Sequence, residues 1–232
     1  MNTYYDDNFY VVGLDNKTSG NNNLKNFIEI DCDLTKFAKE KIYRNQISSL
    51  IKDSIPKDLK EFNIVNNAAD QILKPVTKLE WEDWEKSLAV NSIAPFFVIK
   101  ELLDILNSTN SHIINISSIH GKLTKSNFAA YAASKAALES ITRSLAIELS
   151  PNGISVNCVA PAAIMTDMLK LSFNGNKRKL KDLENRHPAK KIASPSELAI
   201  FIKSLTDSKG KFLTGSVINF SGGISNLLND PD

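Results

Sequence analysis

Two stretches of the sequence decide the fold: IINISS at residues 113–118 and YAASK at residues 131–135. The first is a continuous apolar run ending in two serines, which indicates a β-strand covered on both faces. The second opens a helical pattern in which Tyr131 and Lys135 stand four residues apart and therefore share one helical face. Ser118, at the end of the strand, precedes Tyr131 by thirteen residues.

The Tyr131–Lys135 pair is a candidate for acid–base chemistry. A tyrosine hydroxyl has an ordinary pKa of about 10, too high for easy proton exchange at neutral pH. An ammonium a few ångströms away stabilises the phenolate and lowers that pKa. The pair can then act as a general acid or base towards a carbonyl or an alcohol. The spacing alone is a weak signal, because Tyr and Lys recur at this separation in many helices.

Outward from these stretches, apolar β-rich runs alternate with longer helical patterns, which is typical of repeated β–α units around a parallel sheet. The predicted strands are Phe9–Leu14, Phe27–Ile30, Phe62–Asn66, His112–Ser117, Ile154–Val159 and Ser216–Phe220. The predicted helices are Leu34–Ile51, Trp81–Leu106, Phe128–Leu149 and Pro195–Leu205. We predict an α/β fold, a doubly wound parallel sheet of the Rossmann type, in a single domain over residues 1–232.

Composition narrows the class of protein. The chain has 232 residues, 42% of them hydrophobic and 23% charged, with a net charge of +2. This near-neutral balance gives no electrostatic case for nucleic acid or an anionic membrane as partner. The sequence contains no apolar run of about 18 residues, the length that would indicate a membrane span. The first residues lack the pattern of a secretory signal. Cys32 and Cys158 are isolated thiols with a structural role, which favours a reduced, cytoplasmic setting.

The order of motifs along the chain resembles the short-chain dehydrogenase/reductase family, and within it the sequence is similar to 3-oxoacyl-acyl-carrier-protein reductases. IINISS followed by YxxxK resembles the family's active site. The other matching segments are Asn66-Asn67-Ala68-Ala69, Asn91, Val156–Pro161 with Ile164 and Thr166, and Thr214–Asn219 with Ser221-Gly222-Gly223. The resemblance extends from the strand at Phe9 to Gly223.

The resemblance implies four catalytic residues. Tyr131 would pass a proton to or from the substrate oxygen, and Lys135 would lower the pKa of Tyr131 and hold the nicotinamide ribose. Ser118 would hydrogen-bond the same oxygen, since it has the family spacing to the tyrosine, whereas Ser117 should point to the other side of the strand. Asn91 would anchor a water that relays protons from Lys135.

The resemblance also implies a nicotinamide cofactor, NAD with NADP as the alternative. Asp15 ends its strand where a carboxylate accepts hydrogen bonds from the adenosine ribose and repels a 2′-phosphate, although Lys17 could partly offset this. Asp33 and Leu34 match the pair that contacts adenine, with Asp31 as the weaker alternative to Asp33. The expected cofactor-binding residues are Asp15, Asp33, Leu34, Asn67, Ala68, Ala69, Tyr131, Lys135, Pro161, Ile164 and Thr166, and we expect no metal site.

The sequence departs from the family at its beginning. Family members start with a strand and a Thr-Gly-x-x-x-Gly-x-Gly turn, whereas here Met1–Asn8 reads as the tail of the first helix and Ser19-Gly20-Asn21 follows the wrong strand. Without two or three hydrogen bonds to the pyrophosphate, cofactor binding would weaken by roughly 3–9 kcal/mol. We therefore expect the natural protein to start about 25–30 residues earlier. Without that strand, the sheet would be split between the strands at Phe9 and Phe62.

Two smaller departures affect the cofactor turns, and one segment remains unassigned. Ala69 and Ala162 replace family glycines, so each requires a negative φ. The polar segment Ser172–Lys191 contains the basic run Asn176–Lys181. A solvated helix or mobile flap near the active site is favoured over a nucleic-acid patch, because acidic residues resume at once.

Two functions from different classes are consistent with these patterns. The first is an enzyme that transfers a hydride between NAD(H) and a ketone or secondary alcohol on a small-molecule or acyl-chain substrate. The family implies a homodimer or homotetramer built through the helices Trp81–Leu106 and Phe128–Leu149. The second is a catalytically weak or inactive relative that acts as an interaction protein by pairing its incomplete sheet with another chain.

Overall fold

A computed structural model of the chain describes residues 9–16, 26–173 and 175–228. Met1–Asn8, Lys17 and Ser19-Gly20-Asn21, which entered the predictions above, lie outside the described residues. The strands are β1 (Val11–Asp15), β2 (Phe27–Asp31), β3 (Glu61–Asn66), β4 (Asn110–Ile116), β5 (Ser155–Pro161) and β6 (Val217–Phe220). Each of the six predicted strands is confirmed to within one or two residues at either end.

The helices lie between the strands, as the alternating pattern predicts. They are α1 (Leu34–Lys39), α2 (Lys41–Ser54), α3 (Trp81–Leu88), α4 (Ala94–Glu101), α5 (Leu103–Leu106), α6 (Ala129–Leu149), α7 (Asp167–Ser172), α8 (Lys177–Arg186) and α9 (Pro195–Thr206). Short 3₁₀ turns occur at Val76–Lys78, Ile119–Gly121, Ser150–Asn152 and Ile224–Asn226, and a π-helical turn at Ala89–Ile93.

All strand pairs are parallel, but they form two sheets. One has the order β1-β2 and the other the order β3-β4-β5-β6. Within the described ranges no ladder joins β1 to β3, which agrees with the split predicted between the strands at Phe9 and Phe62.

Helices cover both faces of the four-stranded sheet. Ile113 of β4 belongs to a core cluster with residues of α1, α2, α4 and α6, whereas its neighbour Ile114 packs with Leu198 and Ile202 of α9. The larger cluster also contains Ile30 of β2 and Ile64 of β3, so both sheets contribute to one core. The doubly wound α/β class is thereby confirmed.

The predicted helix Leu34–Ile51 is wrong as one element, because the backbone at Glu40 is extended (φ −103°, ψ 106°). Arg44 of α2 explains the break. Its guanidinium donates to the carbonyl oxygens of Phe37 (2.9 Å) and Ala38 (3.2 Å) at the end of α1, and its Nε donates to Glu101 (3.2 Å). The side chain thus satisfies carbonyl groups that a continuous helix would have bonded internally.

The predicted helix Trp81–Leu106 is also interrupted, by the π-helical turn Ala89–Ile93. The amide of Ala94 donates to the carbonyl of Ala89, an i→i−5 bond. Pro95 follows and has no N–H, so it cannot donate to the carbonyl of Asn91 as an ordinary helical residue would. The ladder is therefore broken at the asparagine singled out by the sequence.

The segment Ser172–Lys191 contains α8, in which no residue is buried. This part of the segment is therefore a solvent-exposed helix, and the basic run Asn176–Lys181 lies at its beginning. Asn176 caps this helix, its side chain accepting a bond from the amide of Lys179 at 3.0 Å.

Candidate active site

The structure brings Ser118 and Tyr131 together at the carboxyl end of β4. Ser118 starts the turn Ile119–Gly121, and its Oγ accepts a hydrogen bond from the amide of His120 (3.3 Å). Tyr131 lies in the first turn of α6 and is 8% exposed, as is Ser118. Burial raises the pKa of Tyr131, and a hydrogen bond with the Ser118 side chain partly offsets this rise. The phenol is therefore protonated at neutral pH.

Lys135 lies one turn further along α6, with 2% of its surface exposed. Its Nζ donates to the carbonyl of Ile116 at 2.7 Å and stands 5.9 Å from the centre of the Tyr131 ring. Burial lowers the pKa of Lys135 to about 8, with a small opposing effect of Cys158. The prediction that this ammonium lowers the pKa of Tyr131 is not met here. The ammonium points to the strand end, and burial dominates the acidity of the phenol.

The ammonium of Lys135 also tests whether a nicotinamide cofactor fits this site. An ammonium has three N–H donors, and in the described residues Lys135 finds one acceptor, the carbonyl of Ile116. Two donors on a buried cation remain for a ligand rich in hydroxyl groups. The ribose of a nicotinamide nucleotide has that chemistry, so the residues present fit the cofactor.

Asn91 occupies the π-helical turn and is completely buried. Its Oδ1 accepts from the amide of Asp70 (2.8 Å), and its Nδ2 donates to the carbonyl of Asp70 (2.8 Å) and to Ser134 (2.9 Å). Ser134 in turn donates to the carbonyl of Tyr131 at 2.7 Å. Asn91 therefore links the loop after β3 to the first turn of α6.

Ser117 is turned away from the tyrosine, as strand alternation predicts. Its Oγ donates to Oε1 of Glu139 at 2.9 Å. Gly121 packs on the same carboxylate, because a Cβ at this position would clash with Oε1 of Glu139 and lie 3.2 Å from Oγ of Ser117. Glu139, at 8% exposure, thus holds the turn that follows β4 against α6.

The residues predicted to bind the adenosine half of a dinucleotide lie on the two-stranded sheet. Asp15 is exposed at the end of β1, and its carbonyl accepts from the amide of Cys32 at 2.9 Å. Asp33 caps α1, its Oδ1 accepting from the amides of Thr35 (2.8 Å) and Lys36 (3.2 Å). Leu34 begins α1 and packs against the main core.

The remaining predicted cofactor residues follow the carboxyl ends of β3 and β5. Asn67 and Ala68 are exposed, and Ala69 is half-buried. Ile164 forms a bridge with Ala193, and Thr166 caps α7. Ala69 and Ala162 are both absent from the described residues with positive φ, so the two replacements of glycine are unstrained.

Sequence reasoning missed an aromatic cluster beside the Ser118–Tyr131 pair. The imidazole of His120 stacks on Phe128 with the ring centres 4.2 Å apart, and it meets Tyr131 edge-on at 6.2 Å. Nζ of Lys125 lies 4.6 Å from the centre of the Phe128 ring. The available signal was proximity in sequence, since His120 follows Ser118 by two residues and Phe128 precedes Tyr131 by three.

The two cysteines of the chain are buried thiols. Cys32 and Cys158 are free and buried, and burial raises the pKa of each to about 12, with nearby carboxylates adding to the effect. This agrees with the structural role predicted for them.

Within residues 9–16, 26–173 and 175–228, no group of three or more His, Cys, Asp or Glu side chains could hold a metal ion. None of the described helices has the length and apolarity needed to cross a membrane.

The chain matches a family model described as enoyl-(acyl carrier protein) reductase over residues 27–225. It is 32% identical over 188 residues to the 3-oxoacyl-[acyl-carrier-protein] reductase FabG of Aquifex aeolicus, covering 77% of this chain and 75% of that protein. It is 32% identical over 161 residues to the short-chain type dehydrogenase/reductase y4vI of Sinorhizobium fredii, which is 69% of this chain. The chain spans only 29% of the length of that relative.

Among solved structures, 4-hydroxyisoleucine dehydrogenase complexed with NADH is similar, with a TM-score of 0.84 and 25% identity over 98% of this chain and 93% of that one. The chain belongs to the short-chain dehydrogenase/reductase family. That family is one of oxidoreductases, and within it the chain is similar to the 3-oxoacyl-acyl-carrier-protein reductases, as the motif order predicts.

Proposed function

We propose that the protein transfers a hydride between NAD(H) and a ketone or secondary alcohol, in the manner of a 3-oxoacyl reductase, with Asn91, Ser118, Tyr131 and Lys135 as its catalytic residues. The observation that carries this proposal is the buried contact of the Ser118 and Tyr131 hydroxyls at the carboxyl end of β4. When bound, the nicotinamide supplies or accepts the hydride, and the chain's own residues manage the proton and the substrate oxygen.

Tyr131 donates its proton to the substrate oxygen during reduction and recovers it in the reverse direction. Ser118 donates a second hydrogen bond to the same oxygen. Its Oγ already accepts from the amide of His120, and its hydrogen, which faces the Tyr131 hydroxyl in this structure, turns to the substrate oxygen held between the two. Two donors aimed at the oxygen where negative charge develops stabilise the transition state. Lys135 uses its two remaining donors to hold the ribose hydroxyls.

Asn91 has a main-chain role in this proposal. Its side chain is fully engaged with Asp70 and Ser134, and Pro95 cannot donate to its carbonyl. That carbonyl can therefore accept a hydrogen bond from a water molecule, which relays protons between Lys135 and solvent.

We infer that NAD(H) is preferred to NADP(H), because the exposed carboxylate of Asp15 would accept bonds from the ribose hydroxyls and repel a 2′-phosphate. Asp33, Leu34, Asn67, Ala68, Ala69, Pro161, Ile164 and Thr166 complete the proposed cofactor contacts.

We further propose a single-domain protein, because the two sheets contribute to one core, and a cytoplasmic one, because its two thiols are free. The partners proposed are a carbonyl substrate and a second or further copy of the chain. The exposed apolar side chains Trp81 and Ile147, on the predicted interface helices, support that assembly. Nucleic acid and membrane are not among the proposed partners.

Replacement of Tyr131 by phenylalanine tests the function. We expect kcat for carbonyl reduction to fall by about 10²- to 10⁴-fold, since the general acid is removed while the ring packing is kept. Tyr10→Phe is the matched control, because Tyr10 is exposed before β1. Retention of the reductase rate by Tyr131→Phe would contradict the proposal.

The alternative, an interaction protein with little or no catalysis, is favoured by one observation: among the described residues, no ladder joins β1 to β3. A fluorescence titration with NADH separates the two functions. If the protein is an enzyme, NADH binding quenches the fluorescence of NADH or of the protein, and the affinity for NADH drops in Lys135→Met. If it is an interaction protein, the titration gives no quench and no dependence on Lys135.

A further inference from the structure

We propose that His120 and Lys125 form an anion-recognising corner beside the Ser118–Tyr131 pair, and that this corner selects a short carbonyl substrate bearing a carboxylate. The inference rests on the proposed function, because it names the substrate class of that same site. A corner of this kind would favour a small oxo acid over a neutral ketone or an acyl thioester as substrate.

The position of His120 is fixed by three contacts with the catalytic pair and its surroundings. Its amide donates to Oγ of Ser118 at 3.3 Å. Its ring stacks on Phe128 at 4.2 Å with an interplanar angle of 28°, and stands edge-on to Tyr131 at 6.2 Å. An oxo substrate held by Ser118 and Tyr131 therefore has this imidazole within the length of a small molecule.

Lys125 adds the charge. Its ammonium lies over the ring of Phe128 at 4.6 Å, so one aromatic side chain of 7% exposure supports both the imidazole and the ammonium. Lys125 forms no ion pair within 4.0 Å among the described residues. The side chain is exposed, so it can reach a ligand beside the Ser118–Tyr131 pair without first leaving a buried partner.

The charge pattern of this part of the chain is one-sided. Between Asp104 and Glu139 the sequence has no acidic residue, yet it contains Lys122, Lys125 and Lys135 in addition to His120. This stretch holds three of the four proposed catalytic residues. The carboxylate that packs on this turn, that of Glu139, is buried and is bonded by Ser117 on the side away from Tyr131. The exposed charge beside His120 and Tyr131 is therefore that of Lys125, which favours an anionic ligand over a neutral one.

The protonation state of His120 defines how it would bind. Burial and the charge of Lys125 lower its pKa, with a smaller opposing effect of the Leu123 main chain, so the imidazole is neutral at neutral pH. A neutral imidazole retains one N–H donor, and its Nδ1 has no partner among the described residues. In the tautomer that carries its proton on Nδ1, the corner thus offers a carboxylate one neutral donor and one ammonium.

The experiment compares the binding of 4-oxopentanoate with that of its methyl ester, followed by ligand proton NMR in the presence of NADH. We expect the acid to bind about 10- to 100-fold more tightly than the ester, as charge-assisted hydrogen bonds would give. Lys125→Met should reduce this acid-to-ester ratio several-fold, and His120→Phe should do so while keeping the ring stack. Lys122→Met, a lysine of the same turn without the aromatic contact, is the matched control.

Equal binding of acid and ester, or a ratio that Lys125→Met leaves at the wild-type value, would overturn the inference. The same titration in Tyr131→Phe separates this outcome from failure of the proposed function. A carboxylate preference that persists in that variant supports the corner whether or not turnover is observed. Turnover by the wild-type protein that vanishes in Tyr131→Phe supports the proton donor whether or not the acid is preferred.

Discussion

The two sheets of this molecule differ in how completely they are buried. All seven residues of β5 are buried, as are six of the seven of β4. In β1 no residue is fully buried, and in β2 only Ile30 is. The four proposed catalytic residues belong to the well-buried part, whereas Asp15 and Asp33 belong to the two-stranded part. The half of the molecule that holds the proposed catalytic residues is therefore the more deeply buried half.

The difference follows from the number of neighbours each strand has. β4 and β5 each have a hydrogen-bonded partner on both sides and helices on both faces. β1 has β2 as its sole ladder partner in the described part of the chain. Polar side chains in the four-stranded part are also linked across elements, since Asn66 donates to Asn115 (2.8 Å) and Asn115 donates to Thr142 of α6 (2.9 Å). Catalytic geometry there depends on many mutually supporting contacts.

Lys135→Met should have the largest effect of these variants. In the buried half it should lower activity and raise stability, so the two properties change in opposite directions. Loss of two donors to the ribose hydroxyls should lower kcat/KM by about 10²- to 10⁴-fold. The same change removes a buried ammonium, so the free energy of unfolding at pH 7 should rise by up to about 3 kcal/mol, the equivalent of a pKa lowered from 10.5 to about 8. Initial rates and chemical denaturation measure the two effects.

The pH dependence of that stability difference provides the control. Below about pH 8 the folded and unfolded chains both carry the ammonium, so its full burial penalty is present. Between about pH 8 and pH 10.5 the folded chain has lost the proton that the unfolded chain keeps, so the wild type gains stability as pH rises. Lys135→Met should lack this gain. A difference between the two proteins that does not change over this range would contradict the assignment of a buried, charged lysine.

Asp15→Asn tests the less buried half. We expect the preference for NADH over NADPH in kcat/KM to fall by about 10- to 100-fold, because the carboxylate no longer accepts charged hydrogen bonds or repels a phosphate. Asp31→Asn is the matched control, since Asp31 pairs with Asp15 in register at the end of β2 and is equally exposed. If both variants shift the preference alike, the effect is one of general charge, and the specific role of Asp15 is wrong.

Gly121→Ala should destabilise the turn after β4, because the new methyl group collides with the carboxylate of Glu139 and presses on Ser117. We expect a loss of about 1–3 kcal/mol in the free energy of unfolding, as for other overpacked buried sites. Glu139→Ala removes the collision, so the double variant should lose less than the sum of the two single variants. Strict additivity would show that Gly121 and Glu139 do not interact. Gly153→Ala is unsuitable as a control, because Gly153 has a φ of +74°.

Much of this architecture was predictable, because parallel strands that are covered on both faces appear in the sequence as continuous apolar runs. The run at residues 113–118 and the spacing from Ser118 to Tyr131 predict that these two residues lie together, as they do in the structure. The breaks at Glu40 and at Ala89–Ile93 were not predicted. Arg44 ends α1 through contacts with main-chain carbonyls, and a propensity pattern contains no information on such long side-chain bonds.

Within the site, the neighbours were predictable and their electrostatics were not. The spacing of Tyr131 and Lys135 predicts a shared helical face, but it does not reveal that the carbonyl of Ile116 competes for the ammonium. Nor does it show that burial dominates the pKa of Tyr131. The aromatic support of His120 by Phe128 depends on how the turn 119–128 folds back, which no periodicity encodes.

Asp33 gives the smallest expected effect and the finest test of the two-stranded half, because two roles compete for it. As the N-cap of α1 it accepts from the amides of Thr35 and Lys36, and Asp33→Ala should lower the free energy of unfolding by about 1 kcal/mol. Asp33→Asn keeps an equally good cap but removes the charge. If Asp33 also contacts adenine through its carboxylate, the asparagine variant should weaken NADH binding at unchanged stability. If Asp33→Asn instead keeps both the stability and the NADH affinity of the wild type, capping alone explains Asp33, and cofactor recognition in this half rests on Asp15.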